Sequence, residues 1–289
     1  MKLGVITDGI SLDYGKALQI MRQDGLQYAE LQSVWDKEIG DHTEEELKSI
    51  LELTKKNNMN IAAVSRHLFM GLPVMQTEVD SEAYQAQYAR LLRAIKTAKY
   101  LGVDKVRTMS FSKITNIWGY HGADSEMAGD NKAWAHFLKL FEPIVQAAED
   151  YKVTLLMETA VNAMAFSGYL ARRMIRDLGS SHLKVLWDPG NTICNGDVPF
   201  PDAYEEIRDV LGHVHIKDIS FSPEKAMVWS RPIGQGDMAV YWEDIADALR
   251  KDGYEGVVSL EQMYRPDGKT LFDGYREQVG EFKRIFGQE

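Results

Sequence analysis

The chain has 289 residues, 45% hydrophobic and 26% charged, with a formal net charge of −10. That acidity, without any long run of Lys and Arg, argues against a nucleic-acid-binding surface. The single cysteine, Cys194, rules out an internal disulfide, and neither "MKLGVITDGISLDYG" nor any later segment has the apolar length of a signal peptide or a membrane span, so a soluble, cytoplasmic protein without a membrane partner is expected.

Taken in chain order, short apolar runs rich in β-branched residues occur at 2–7, 28–33, 60–67, 104–110, 153–159, 183–188, 212–218 and 256–262. Between them lie amphipathic helix patterns near 14–24, 43–57, 81–101, 131–150, 168–178, 202–211 and 241–252, and a last helix is expected at 274–286. Eight strands alternating with helices predict a parallel sheet, and eight is the number that closes a barrel. The reading is therefore α/β, a single (β/α)8 TIM barrel over 1–289, its last helix packed on the barrel. Helix-to-strand turns such as "KYLGVD" and "RKDGYEG" are short. The strand-to-helix loops 66–80, 110–131 and 219–240 are long, which places a working face at the C-terminal ends of the strands. The rival, a doubly wound open sheet, usually carries a Gly-rich fingerprint after its first strand, and "TDGISLDYG" has none.

In such a barrel the strand ends converge on one mouth. The second half ends its strands in Glu158 ("LLMETA"), Asp188 ("VLWDPG"), a histidine of "GHVHIKD" and Glu261 ("VSLEQM"). Taken singly, each has an ordinary explanation: a solvated Glu, a core His, an Asp that caps a Pro-Gly turn. Together, three carboxylates in one mouth repel unless a cation neutralises them. Oxygen ligands with one imidazole suit one divalent ion, Mn²⁺ first, with Mg²⁺, Co²⁺ and Zn²⁺ also compatible. Strand alternation lets both His213 and His215 face inward.

Over nearly its whole length, from "LQYAEL" to "GYEGVVSLE", the chain resembles the xylose-isomerase-like barrels, in particular the sugar (phosphate) isomerase/epimerase group that includes ketose 3-epimerases. The motifs that carry the resemblance are Glu158, "WDPGN", "GHVHIKD" and Glu261. It implies that Glu158, Asp188, His215 and Glu261 bind one metal, with His215 rather than His213 the ligand, and that Glu158 and Glu261 serve as acid and base. It also implies a carbohydrate substrate and a homodimer or homotetramer. The chain departs from the pattern at Asn191, where many epimerases have histidine, and at Phe221, where the family has an arginine; Arg231 is the nearest substitute.

The expected activity is isomerisation or epimerisation of a sugar or sugar phosphate. A proton next to a carbonyl is removed, and a metal stabilises the enediolate as a Lewis acid. Substrate contacts are expected from His67, Arg107, Asn191, Lys217, Arg231 and Trp118. His67 alternatively packs its loop, and Lys217 alternatively forms a salt bridge across the rim. Glu30 is read as a hydrogen-bonding or orienting group, and "GQGD" at 234–237 as a weak phosphate-cradle candidate. The aromatics Trp118, Tyr120, His121 and Trp229 cover substrate or pack their own loops. Three other functions compete: a metal-dependent dehydratase or other carbon–oxygen lyase on a sugar- or cyclitol-derived ketone, a non-catalytic sugar-binding module, and an abasic-site endonuclease. Against the last stand Asn191, the acidic charge and the lack of an Asp-x-His pair in "SFSPEKAMVWSRP".

Overall fold

A computed structural model describes residues 1–113, 132–225 and 227–287. Its centre is a closed barrel of eight parallel strands: β1 (Lys2–Ile6), β2 (Tyr28–Leu31), β3 (Asn60–Ser65), β4 (Lys105–Thr108), β5 (Thr154–Glu158), β6 (Leu183–Trp187), β7 (Leu211–Ile216) and β8 (Val257–Leu260). Each pairs with its neighbours in sequence, and β1 pairs with β8, Lys2 opposite Val257, to close the ring. Every strand expected from the sequence is present, with ends shifted by one or two residues.

The surrounding helices bury one stripe each against the strands. Their starts follow from local chemistry. Thr43 and Glu46 form a reciprocal capping box before Glu44–Lys56, and Thr270 and Asp273 form another before Leu271–Phe286, each satisfying backbone N–H groups that the first helical turn leaves unpaired. Gly102 ends the helix Glu82–Leu101 at φ +72°, a left-handed conformation that glycine adopts without strain and that turns the chain into β4.

Three local expectations need correction. The helix expected at 202–211 shrinks to Tyr204–Ile207, preceded by a wound turn at Pro199–Ala203; its far end is cut short because β7 already begins at Leu211. The "DPGN" turn is the start of a short helix, Pro189–Cys194, with Asp188 at its N-cap and Pro189 at its first position. The 219–240 loop contains an antiparallel hairpin, Asp218–Ser222 against Met227–Arg231. A smaller hairpin pairs Ser33–Val34 with Lys37–Glu38. No helix among the described residues is long and apolar enough to cross a membrane.

Candidate active site at the barrel mouth

Glu158 is the last residue of β5, Asp188 and Glu261 directly follow β6 and β8, and His215 lies one residue before the end of β7. Side chains alternate across a strand, so His213 and His215 point into the barrel while Val214 and Ile216 point outward to the helices. One oxygen or nitrogen from each of Glu158, Asp188, His215 and Glu261 lies within 4.8 Å of all the others. Donors bound about 2.0–2.6 Å from one cation have spacings of this order.

Asp188 is both a cap and a site residue. Its Oδ1 accepts the backbone N–H of Asn191 at 3.0 Å, while its Oδ2 faces the Lys217 ammonium at 2.7 Å. Lys217 also donates to Glu261 Oε2 at 2.6 Å. The glycine of "DPGN" is required by this crowding: a Cβ on Gly190 would sit 3.0 Å from Lys217 Cγ and from its carbonyl oxygen. Lys217 therefore forms the rim salt bridge considered from sequence.

Charges in the mouth set one another's ionisation. Burial pushes Asp188 up to about 7, aided by Glu261 and Glu158 and opposed by Lys217. Burial also opposes the charges of Glu261 and Glu158, but Lys217, His215 and Arg107 together outweigh it at Glu261, and Arg107 and His215 together at Glu158, so both carboxyls fall below their ordinary range. At His215, with no metal bound, burial is overcome by the Glu30 and Glu158 carboxylates together, which raise the imidazole to about 10. Three carboxyl groups, ionised or partly ionised, in a dry mouth favour a bound cation, which takes the place of the proton on His215.

The donor set fits a divalent ion: hard oxygens, one imidazole and no thiolate. His215 Nδ1 is buried without a hydrogen-bond partner and faces Glu158 Oε1 at 3.8 Å. A second trio, Glu30, His213 and His215, also has closely grouped donor atoms. Glu30 Oε2 meets His213 Nε2 at 2.8 Å and Glu30 Oε1 meets His215 Nε2 at 2.8 Å. Ser259 adds a contact to His213 at 3.1 Å, and Ser65 donates to Glu30. Ordinary hydrogen bonds account for all of these, whereas ions at both nitrogens of His215 would demand an imidazolate.

The opposite wall is a hydrogen-bonded row in which sequence reasoning missed two members. Asp8, two residues past β1, accepts from Gln32 Nε2 at 3.3 Å. Gln32 Oε1 accepts from Arg107 Nη2 at 2.7 Å, and Arg107 Nη1 lies 3.3 Å from Glu158 Oε2. His67 stands 3.1 Å from Arg107 Nη2, and burial, reinforced by Arg107, lowers its pKa, keeping it neutral. Asp8 Oδ1 and Arg107 Nε are buried without hydrogen-bond partners. Buried polar atoms are seldom left unpaired, so this grouping marks a place for ligand oxygens. Gln32 directly follows β2 as Asp188 follows β6, but a neutral amide gives no ligand signal; Asp8 lies two residues past β1, outside any motif.

Asn191 donates to Glu158 Oε1 at 3.3 Å and to the Thr159 carbonyl at 3.1 Å, so it braces a cluster member. Arg231 is not brought into the cluster. It lies exposed on the hairpin, bonded to Ser220 Oγ at 3.0 Å. With Trp229, Tyr264 and Arg265 it lines a surface cavity of about 500 Å³. The "GQGD" turn is not a free cradle either: Asp218 accepts from Gly234 N, Met238 N and Trp242 Nε1 at 2.8–3.1 Å. Trp118, Tyr120 and His121 lie outside the described residues.

A barrel whose strand ends gather carboxylates and an imidazole defines a class of small-molecule-binding TIM barrels. The family model for the xylose isomerase-like TIM barrel matches residues 18–285, and the chain belongs to that family. No curated protein matches the sequence. Among solved structures, the chain is similar to D-psicose 3-epimerase crystallised in the presence of D-fructose, at 18% identity, covering 100% of both chains, with a TM-score of 0.71. It is similar to the probable 3-DHS dehydratase AsbF from Bacillus anthracis, at 16% identity, 96% of this chain and 98% of that one, TM-score 0.71. A third is the IOLI protein with a binding zinc atom, at 15% identity, 99% and 98% coverage, TM-score 0.73. At these identities the likeness is one of fold.

Proposed function

We propose that the protein is a divalent-metal-dependent isomerase or epimerase of a sugar or sugar phosphate. The observation that carries this reading is the meeting of Glu158, Asp188, His215 and Glu261, from four consecutive strand ends, within 4.8 Å of one another. These four residues would hold the ion, Mn²⁺ being the first choice for its oxygen-rich donor set. Bound there, a divalent ion supplies Lewis-acid stabilisation of negative charge on the oxygens of a ketose.

Glu158 and Glu261 are the acid–base pair. They stand on β5 and β8, on different sides of the mouth, and both carboxyls are held ionised by neighbouring cations. One carboxylate takes the proton next to the carbonyl, while the other, after taking up a proton from water, returns it to the opposite face. Lys217 and Arg107 hold these carboxylates in place, and Asn191 fixes Glu158 from a second direction. Asp8 and Arg107 offer one acceptor and one donor to hydroxyls farther along the substrate, with His67 beside them.

The test is incubation of Mn²⁺-loaded protein with a panel of ketoses and ketose phosphates in deuterated water. Solvent deuterium in a recovered isomer is the expected result. An unsaturated or deoxy product would replace this reading by elimination. Unchanged substrates throughout the panel would refute the isomerase.

A further inference from the structure

Below the mouth, Glu30 is fully buried and grips two histidines at once, its Oε1 on His215 Nε2 and its Oε2 on His213 Nε2, each at 2.8 Å. We propose that Glu30 is a positioning residue that sets the tautomer and orientation of His215, so that the lone pair of Nδ1 is presented to a cation among Glu158, Asp188 and Glu261. This rests on the metal-binding reading of that cluster.

The argument is one of donor and acceptor counts. An ionised carboxylate only accepts hydrogen bonds, so both ring nitrogens that touch it must carry protons. Three donors, the two ring nitrogens and the Ser65 hydroxyl, converge on Glu30, the surroundings of a carboxylate that only accepts. A cation bound at Nδ1 takes the place of the proton on that atom, while the proton on Nε2, held by Glu30, stays. At His215, Nδ1 is buried, has no hydrogen-bond partner and lies 3.8 Å from Glu158 Oε1. Ser65 donates to the same Glu30 oxygen and fixes the carboxylate from β3. Strands β2, β3 and β7 thus jointly aim one ring. A carboxylate behind a ligating histidine strengthens the ligand and commonly contributes ten- to a hundredfold to metal affinity.

Glu30→Gln keeps the shape but replaces one acceptor with a donor, so one of the two histidines must turn or exchange its proton. The experiment is calorimetric titration of the metal-stripped protein with Mn²⁺, wild type against E30Q, with far-UV circular dichroism as the check on folding. E30Q is expected to bind at least about tenfold more weakly. The second measurement needs no variant: ¹⁵N NMR of the zinc-loaded wild type should show a protonated Nε2 and an unprotonated Nδ1 on His215. Equal Mn²⁺ affinity in folded E30Q, or the opposite protonation pattern, would overturn the positioning role alone. Absence of binding by the wild type would overturn the metal reading beneath it.

Discussion

Replacing Lys217 by Met removes the only ammonium among the described residues that bridges two members of the carboxylate cluster. Lys217 Nζ lies 2.7 Å from Asp188 Oδ2 and 2.6 Å from Glu261 Oε2, with its side chain 12% exposed and Asp188 fully buried. Removing one partner of a buried pair leaves an uncompensated charge, which costs about 3–5 kcal/mol. At roughly 2 °C per kcal/mol for a domain of this size, the melting temperature of metal-free K217M should fall by about 6–10 °C. A cation binding the same carboxylates would then offset the loss, by about 2.7 kcal/mol at a concentration one hundred times its Kd. Thermal melts in EDTA and in Mn²⁺ measure both effects. K217M melting with the wild type in EDTA would show that the ammonium does not hold these carboxylates together, and the electrostatic account of the mouth would fail.

Other predictions concern the same mouth. Glu158→Gln and Glu261→Gln should each abolish deuterium exchange into a turned-over ketose while leaving circular dichroism unchanged; turnover near wild type in either would remove that glutamate from the acid–base pair. Gly190→Ala should cost about 1–3 kcal/mol from overpacking against Lys217, read as a shift of the denaturant midpoint, and an unshifted midpoint would show that the turn has slack. Burial raises the Asp8 carboxyl above its ordinary value. A raised folded-state pKa means that the native state holds its proton to higher pH than the unfolded chain does. Asp8 therefore costs no stability below the unfolded value of 3.8 and costs progressively more as pH rises through its folded pKa. Asp8→Asn should be the more stable protein at pH 7 and show no such advantage near pH 3.5; a constant difference across that range would contradict the assigned shift.

The barrel was legible in the sequence because its strands are buried on both faces and read as apolar runs, and because the long loops lie on one side of them. Glu158, Asp188 and Glu261 were legible for a related reason: each sits at or near the last position of such a run, where convergence follows from closure of the ring; strand position left His213 and His215 both open, and only the family resemblance pointed to His215. Features made by contacts between distant elements could not be read in the same way. Asp8 and Gln32 acquire meaning only because Arg107 reaches across from β4. Glu30 is readable from the sequence as a hydrogen-bonding or orienting group, but its partners, His213 and His215, come from a distant strand and are visible only in the structure. The hairpin at 218–231 was hidden because Asp218, which looks like the end of a strand, instead organises the following loop through three hydrogen bonds. At 202–211 the apolar spacing does not show that β7 already begins at Leu211, which leaves room for only one turn of helix. Arg231 was placed by its proximity to β7 in sequence, but the hairpin carries it out to the surface.

The most direct test of the central claim is X-ray anomalous scattering from crystals soaked in Mn²⁺, collected at the manganese edge. The account predicts one strong peak per chain, bounded by Glu158, Asp188, His215 Nδ1 and Glu261. A mouth without a peak, or a peak whose ligands exclude these four side chains, would contradict it.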